Sequence, residues 1–181
     1  GKLALGIPNL VVQRLYAEQI RELLLPEPVD RDDGISAAER LYTTGEMGPL
    51  CDFVQAKFFK VFHNPDYRWA NELTVKTAFL TLLYNDILYI MDSDAEIDRR
   101  YADLTMIIRP DMRRFKIFDI LIEFKFVGLK DAGISGEQAR DLDSEALRRI
   151  PRMHAEMANA LAQVASYGDA LERRHHDGLR L

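Results

Sequence analysis

The chain has one cysteine, Cys51, so it closes no internal disulfide, which fits a reducing compartment such as the cytoplasm. Cys51 itself reads as a small buried apolar residue. Long apolar runs are also missing: none nears the roughly 20 residues that span a bilayer, so no membrane partner is expected. The opening GKLALGIPN lacks the basic-then-apolar layout of a secretory leader. His63, His154, His175 and His176 have no cysteine or histidine partners at zinc spacing. Neither a GxSxG elbow nor a GxxxxGK[ST] phosphate loop occurs, so any ATPase activity would come from sequence outside this chain. Positive charge is in short supply as well. The net charge is −5 and the pI near 5.4, which weighs against tight, unaided binding to nucleic acid. Arginines gather at Arg99-Arg100, Arg109, Arg113-Arg114, Arg148-Arg149 with Arg152, and Arg173-Arg174. Each group reads first as a solvated helix end or turn tip.

What is present is enough for one domain with a helical lead-in. The 181 residues are 48% apolar, which supplies a core, and 29% charged. Asn9 can cap a helix through Leu25, with Val12, Leu15, Tyr16, Ile20, Leu23 and Leu24 at helical spacing. Pro26 and Pro28 end it, and Val29 to Ile35 reads as a polar loop. Ser36, with Glu39 three residues on, fits a capping box for a short helix to Tyr42. A further helix is expected from Leu50 to Phe62, and residues 63–66 mark a boundary. The domain division expected is thus 1–66, helical, and 67–181, the core. That core opens with a helix from Tyr67 to Tyr84. A short strand follows from Ile87 to Met91, then a turn at Asp92-Ser93-Asp94 and a longer strand from Ile97 to Ile108. Short helices over Ser135 to Ile150 lead to a long one from Arg152 to Arg174, with Pro151 at its first turn. Gly178 to Leu181 reads as the start of another strand, cut short at the C-terminus.

The chemistry lies in Ala102 to Phe126, ADLTMIIRPDMRRFKIFDILIEFKF. Two β-branched-rich runs flank the polar turn Arg109 to Arg114, the pattern of an antiparallel hairpin. The runs are too apolar for a strand with one wet face, so the sheet should be covered on both sides. Asp103, Glu123 and Lys125 stand out against them. Glu123 and Lys125 are two apart and share a strand face. A turn centred near Asp111-Met112 sets Asp103 opposite roughly residue 120, within reach of Glu123 if a bulge allows. Two carboxylates beside an ammonium would then meet by a covered sheet, where a divalent cation relieves the cost of a lone buried carboxylate. Mg2+ suits such a site, since it takes oxygen ligands and often only one or two carboxylates. The duller readings are a strand-start aspartate for Asp103 and a lysine that snorkels to the sheet edge for Lys125.

Asp103 in RYADL, Glu123-Phe124-Lys125 in IEFKF and Glu72 in NELTVKTAFLTLLYND together resemble the PD-(D/E)xK nuclease superfamily. More narrowly, LGIPNLVVQRLY, IEFKFVGLKDAG and ALAQVASYGDAL are similar to the nuclease-like domain at the C-terminus of bacterial proteins whose front half is an AAA-ATPase-like domain. The resemblance implies an α/β (α+β) fold of restriction-endonuclease type, with a central mixed sheet flanked by helices. It implies a Mg2+- or Mn2+-dependent nuclease acting on DNA, with RNA as the alternative. Asp103, Glu123 and the main-chain carbonyl of Phe124 would hold the metal, Glu72 would add a ligand, and Lys125 would position the attacking water. Gln163 and Tyr167, four apart on one helix face, would lie over the site and its phosphate. Where the family often has glycine before its Asp element, this chain has Arg99-Arg100-Tyr101. The partners implied are nucleic acid and the AAA-ATPase-like domain. A rival reading is a catalytically inactive module that regulates that ATPase. A third is a homo-oligomer joined through the helical N-terminal third.

Overall fold

The computed structural model describes residues 10–58, 72–97, 100–174 and 178–181. The Asn9 cap, the end of the helix expected to reach Phe62, the boundary at 63–66 and the helix start at Tyr67 lie outside these residues. The chain is mixed α/β, with helices and an antiparallel sheet. Three strands are described: β1 (Tyr89–Ile97), β2 (Arg100–Ile108) and β3 (Ile120–Ile122), in the order β1-β2-β3. The chain falls into two compact units, each assembled from separate stretches of sequence. One holds 1–91, 106–120 and 180, and the other holds 92–105, 121–179 and 181. None of the described helices is long and apolar enough to cross a membrane.

The first unit is built on helices. Helix α1 (Leu10–Leu24) forms as its apolar spacing suggests. The residues expected as a loop instead belong to α2 (Pro28–Thr44). Pro28 occupies the first turn, where its missing N–H costs nothing and its fixed φ suits the helix, so it starts this helix as well as following α1. Ser36 is therefore inside α2 and caps nothing. Gly45, at φ 75°, ends the helix in the left-handed conformation that glycine adopts without strain. Gly34 has a different role. A Cβ there would sit 2.9 Å from Leu82 Cδ2 and 3.1 Å from the Phe53 ring, so α2 packs closely because this side chain is absent. Helix α3 (Gly48–Phe53) runs into a π-helical turn, Val54–Phe58. Cys51, on α3, is exposed and not buried as its sequence context suggests. Helix α4 (Glu72–Leu83) is anchored to α1 by Arg21, whose Nη2 donates to the carbonyls of Thr81 at 3.1 Å and Tyr84 at 3.3 Å. Tyr42 Oη donates to the Leu83 carbonyl at 3.0 Å, and the Tyr42 and Tyr89 rings pack at 5.1 Å.

The sheet departs from expectation in two ways. The short first strand and its Asp92-Ser93-Asp94 turn are one continuous strand, β1. Asp92 and Ser93 are exposed, which a strand at the end of the described sheet tolerates. The turn between β2 and β3 is also wider than expected. A 3-10 turn at Pro110–Met112 is followed by irregular chain to Asp119, and β3 is only three residues long. Asp119 closes this connection. Its Oδ1 accepts from the Ile108 N–H at 2.8 Å and Arg113 Nη2 at 3.0 Å, while Oδ2 accepts from Arg113 Nη1 at 2.6 Å and the Arg180 N–H at 2.9 Å. The Asp119 N–H donates in turn to the Arg180 carbonyl, and residues 178–181 form no strand.

In the second unit, Ile97, Ala102, Tyr167, Ala170 and Leu171 form a small core with Leu121 and Leu179 against it. Short helices α5 (Leu129–Ala132), α6 (Gly136–Asp141) and α7 (Ser144–Arg149) lead into α8 (Pro151–Arg174). A capping box does occur here, at Ser135 and Gln138. Helix α5 replaces what reads as a plain loop between Gly128 and Gly133.

Candidate active site

On β2, Ala102 and Leu104 are fully buried, and Asp103 between them points the opposite way and is half-buried, as strand alternation requires. β3 ends at Ile122, and a main-chain donor two residues beyond it is captured by this aspartate. The Phe124 N–H donates to Asp103 Oδ2 at 2.8 Å. Asp103 therefore reaches past the end of β3 through its side chain, to the main chain of Phe124. That bond joins Asp103 to the Glu123-Phe124-Lys125 segment.

Lys125 Nζ donates to Glu123 Oε1 at 2.7 Å, with the Glu123 side chain 7% exposed and that of Lys125 25% exposed. Burial opposes the lysine charge, but the hydrogen bond to Glu123 and the charges of Glu123, Asp103 and Glu156 outweigh it. The Lys125 pKa therefore lies above the ordinary lysine value. Glu123 is left half-satisfied. Its Oε2 is buried and has no hydrogen-bond partner among the described residues, a costly condition for a carboxylate oxygen.

Helix α8 supplies the next side chains. Glu156, Asn159 and Gln163 line, with Lys125, an open depression of about 350 Å³. Gln163 Oε1 is likewise buried without a partner among the described residues. Tyr167, one turn on, turns into the small core. It is 3% exposed, and its hydroxyl donates to the Tyr101 carbonyl at 3.1 Å. Glu72 is the first residue of α4, and its side chain lies outside the described residues. Asp103, Glu123, Phe124 and Lys125 are therefore brought together, Gln163 meets them through Lys125, and Tyr167 is engaged in packing. Glu156 and Asn159 went unremarked in the sequence. Their signal is the spacing of 156, 159 and 163, a polar stripe along one helix face.

Several of the arginines are taken up by neighbouring acids. Arg109 is 3.6 Å from Asp111, Arg152 pairs with Glu156 at 2.7 Å, and Arg113 is committed to Asp119.

Among the described residues no group of three or more His, Cys, Asp and Glu side chains converges as a metal cage. The donor set still fits a hard cation of the Mg2+ class, which needs only one or two carboxylates and keeps its waters. The orphaned, buried Glu123 Oε2 is the observation that favours that fit. Compared with family profiles, with curated proteins and with solved structures, the chain matches none.

Proposed function

We propose that this chain is a metal-dependent nuclease domain of PD-(D/E)xK type, with a restriction-endonuclease-like core, that hydrolyses phosphodiester bonds of DNA. The observation that supports the reading is that Asp103 accepts from the main chain of Phe124, between Glu123 and Lys125 and about twenty residues on, beside a Glu123 carboxylate with one unsatisfied oxygen. Asp103, Glu123 and the Phe124 carbonyl would hold Mg2+ or Mn2+. The chemistry supplied by the bound ion is acidification of water and stabilisation of charge developing on the phosphate. The Phe124 N–H fixes the Asp103 carboxylate, which limits its rotation before any ligand arrives. Lys125, with its raised pKa, keeps its proton at neutral pH. It therefore orients a water or a phosphate oxygen by donation and is not the base. Asn159 and Gln163 line the depression beside it and can donate to or accept from the substrate.

A second reading is a module that has kept the fold without the activity and regulates an attached AAA-ATPase-like domain. It is favoured by the closure of Lys125 onto Glu123 and by the net charge of −5. Incubation with supercoiled DNA and Mn2+ separates the two. The nuclease reading expects nicking that Lys125→Ala abolishes, with the circular dichroism spectrum unchanged. Equal inertness of wild type and variant on DNA and RNA leaves the regulatory reading.

A further inference from the structure

Within the first unit, α1, α2 and α4 enclose a cavity of about 180 Å³, distinct from the depression at Lys125. A cavity of about 150 Å³ is enough to hold a benzene-sized molecule. Two side chains of its wall carry buried polar atoms that have no partner among the described residues: Arg21 at Nε and Tyr84 at Oη. Arg21 uses Nη2 on the carbonyls that end α4 but forms no ion pair with any described carboxylate, whereas Arg14 in the same wall is paired with Glu18 at 3.1 Å. Besides the paired Glu18, the wall carries two carboxylates, exposed Glu39 and, near Tyr84, half-buried Asp86, and its apolar part includes Ile35 and Leu82. A cation with a buried spare donor, a spare phenol, apolar side chains and two carboxylates not paired with Arg21, all in one wall, complement a molecule that carries both charges.

We propose that this cavity binds a small zwitterion, a free α-amino acid with an apolar side chain. Its carboxylate accepts from Arg21 Nε and Tyr84 Oη, its ammonium faces Glu39 and Asp86, and its side chain packs on Ile35 and Leu82. This site does not depend on the nuclease reading. Both orphaned atoms acquire partners on binding, and the α1–α4 contact made by Arg21 is tightened.

The test is calorimetric titration and thermal unfolding of the full chain with L-valine, isovalerate and isobutylamine, which share a branched chain and differ in which charges they carry. L-Valine is expected to bind and raise the melting temperature, with either single-charge analogue at least about tenfold weaker. Tyr84→Phe removes a hydroxyl with no partner among the described residues, so the fold should persist while valine affinity falls about tenfold. Glu39→Gln, at an exposed position, should weaken valine and leave isovalerate unchanged. Absence of valine binding, which would leave water as the occupant, overturns the proposal. So does equal binding of the three ligands, or valine binding that neither variant alters.

Discussion

Asp119 and Glu123 stand four residues apart, at either end of the same short strand, and both carboxylates are buried. Their surroundings are opposite in kind. Asp119 receives two main-chain N–H groups and a bidentate guanidinium, so both of its oxygens are used and its charge is matched. Glu123 receives one ammonium on one oxygen, and the other oxygen has no partner among the described residues. A saturated carboxylate holds chain together: Asp119 ties the end of β2, the wide turn and residue 180 into one knot. An unsaturated one has capacity left for something the protein does not itself supply. The partners differ in the same sense. Arginine presents a rigid fork that closes on its acid, and lysine presents a single point charge that can turn to another acceptor.

The largest effect that would test this contrast is at Asp119. Asp119→Ala strands a guanidinium and two buried N–H groups, and should destabilise the protein by about 3–5 kcal/mol in denaturant unfolding. A loss near that of an ordinary surface substitution would show that the knot is not structural. Glu123→Gln should change stability by no more than about 1 kcal/mol in the same measurement, because its lysine can turn to solvent. A loss like that of Asp119→Ala would make Glu123 a structural acid as well. The smallest effect is alkaline. The folded-state pKa of Lys125 is raised, so whatever stability its pair gives is complete below the unfolded lysine value of about 10.4 and fades as pH rises through the folded value. The stability difference between wild type and Lys125→Met should shrink over that window, whereas the Asp119→Ala deficit should persist because arginine keeps its proton. A Lys125→Met difference that stays constant into that range would contradict the pairing.

Part of this site was legible from spacing. Glu123 and Lys125 are expected on one strand face and do meet, although β3 ends at Ile122 and their pairing is made in the irregular chain that follows. The partner across the sheet was harder to read, because it depends on the length of the turn. Arg113 and Asp119 lie inside that turn, and their ion pair closes the irregular chain between Ile108 and Ile120. Asp119 carries no motif, since its role exists only once three separate stretches of chain surround it. The helices followed the same division. α1 and α8 have long apolar spacing that the sequence shows, and Pro151 starts a helix as its place before that spacing suggests. Pro28 also starts a helix, but the following Asp30, Asp32, Asp33 and Gly34 have loop composition. Tertiary packing of Gly34 against Leu82 and Phe53 overrides that composition. The sequence pattern splits β1 for a similar reason. Its Asp92 and Ser93 look like turn residues until the strand is seen at the end of the described sheet.

Titration of the purified chain with Mn2+ by calorimetry, beside the Asp103→Asn, Glu123→Gln double variant, asks whether the half-satisfied acid is a cation site. The expected result is saturable binding to wild type that the double variant lacks while its fold persists. No binding to wild type, or undiminished binding to the double variant, would contradict it.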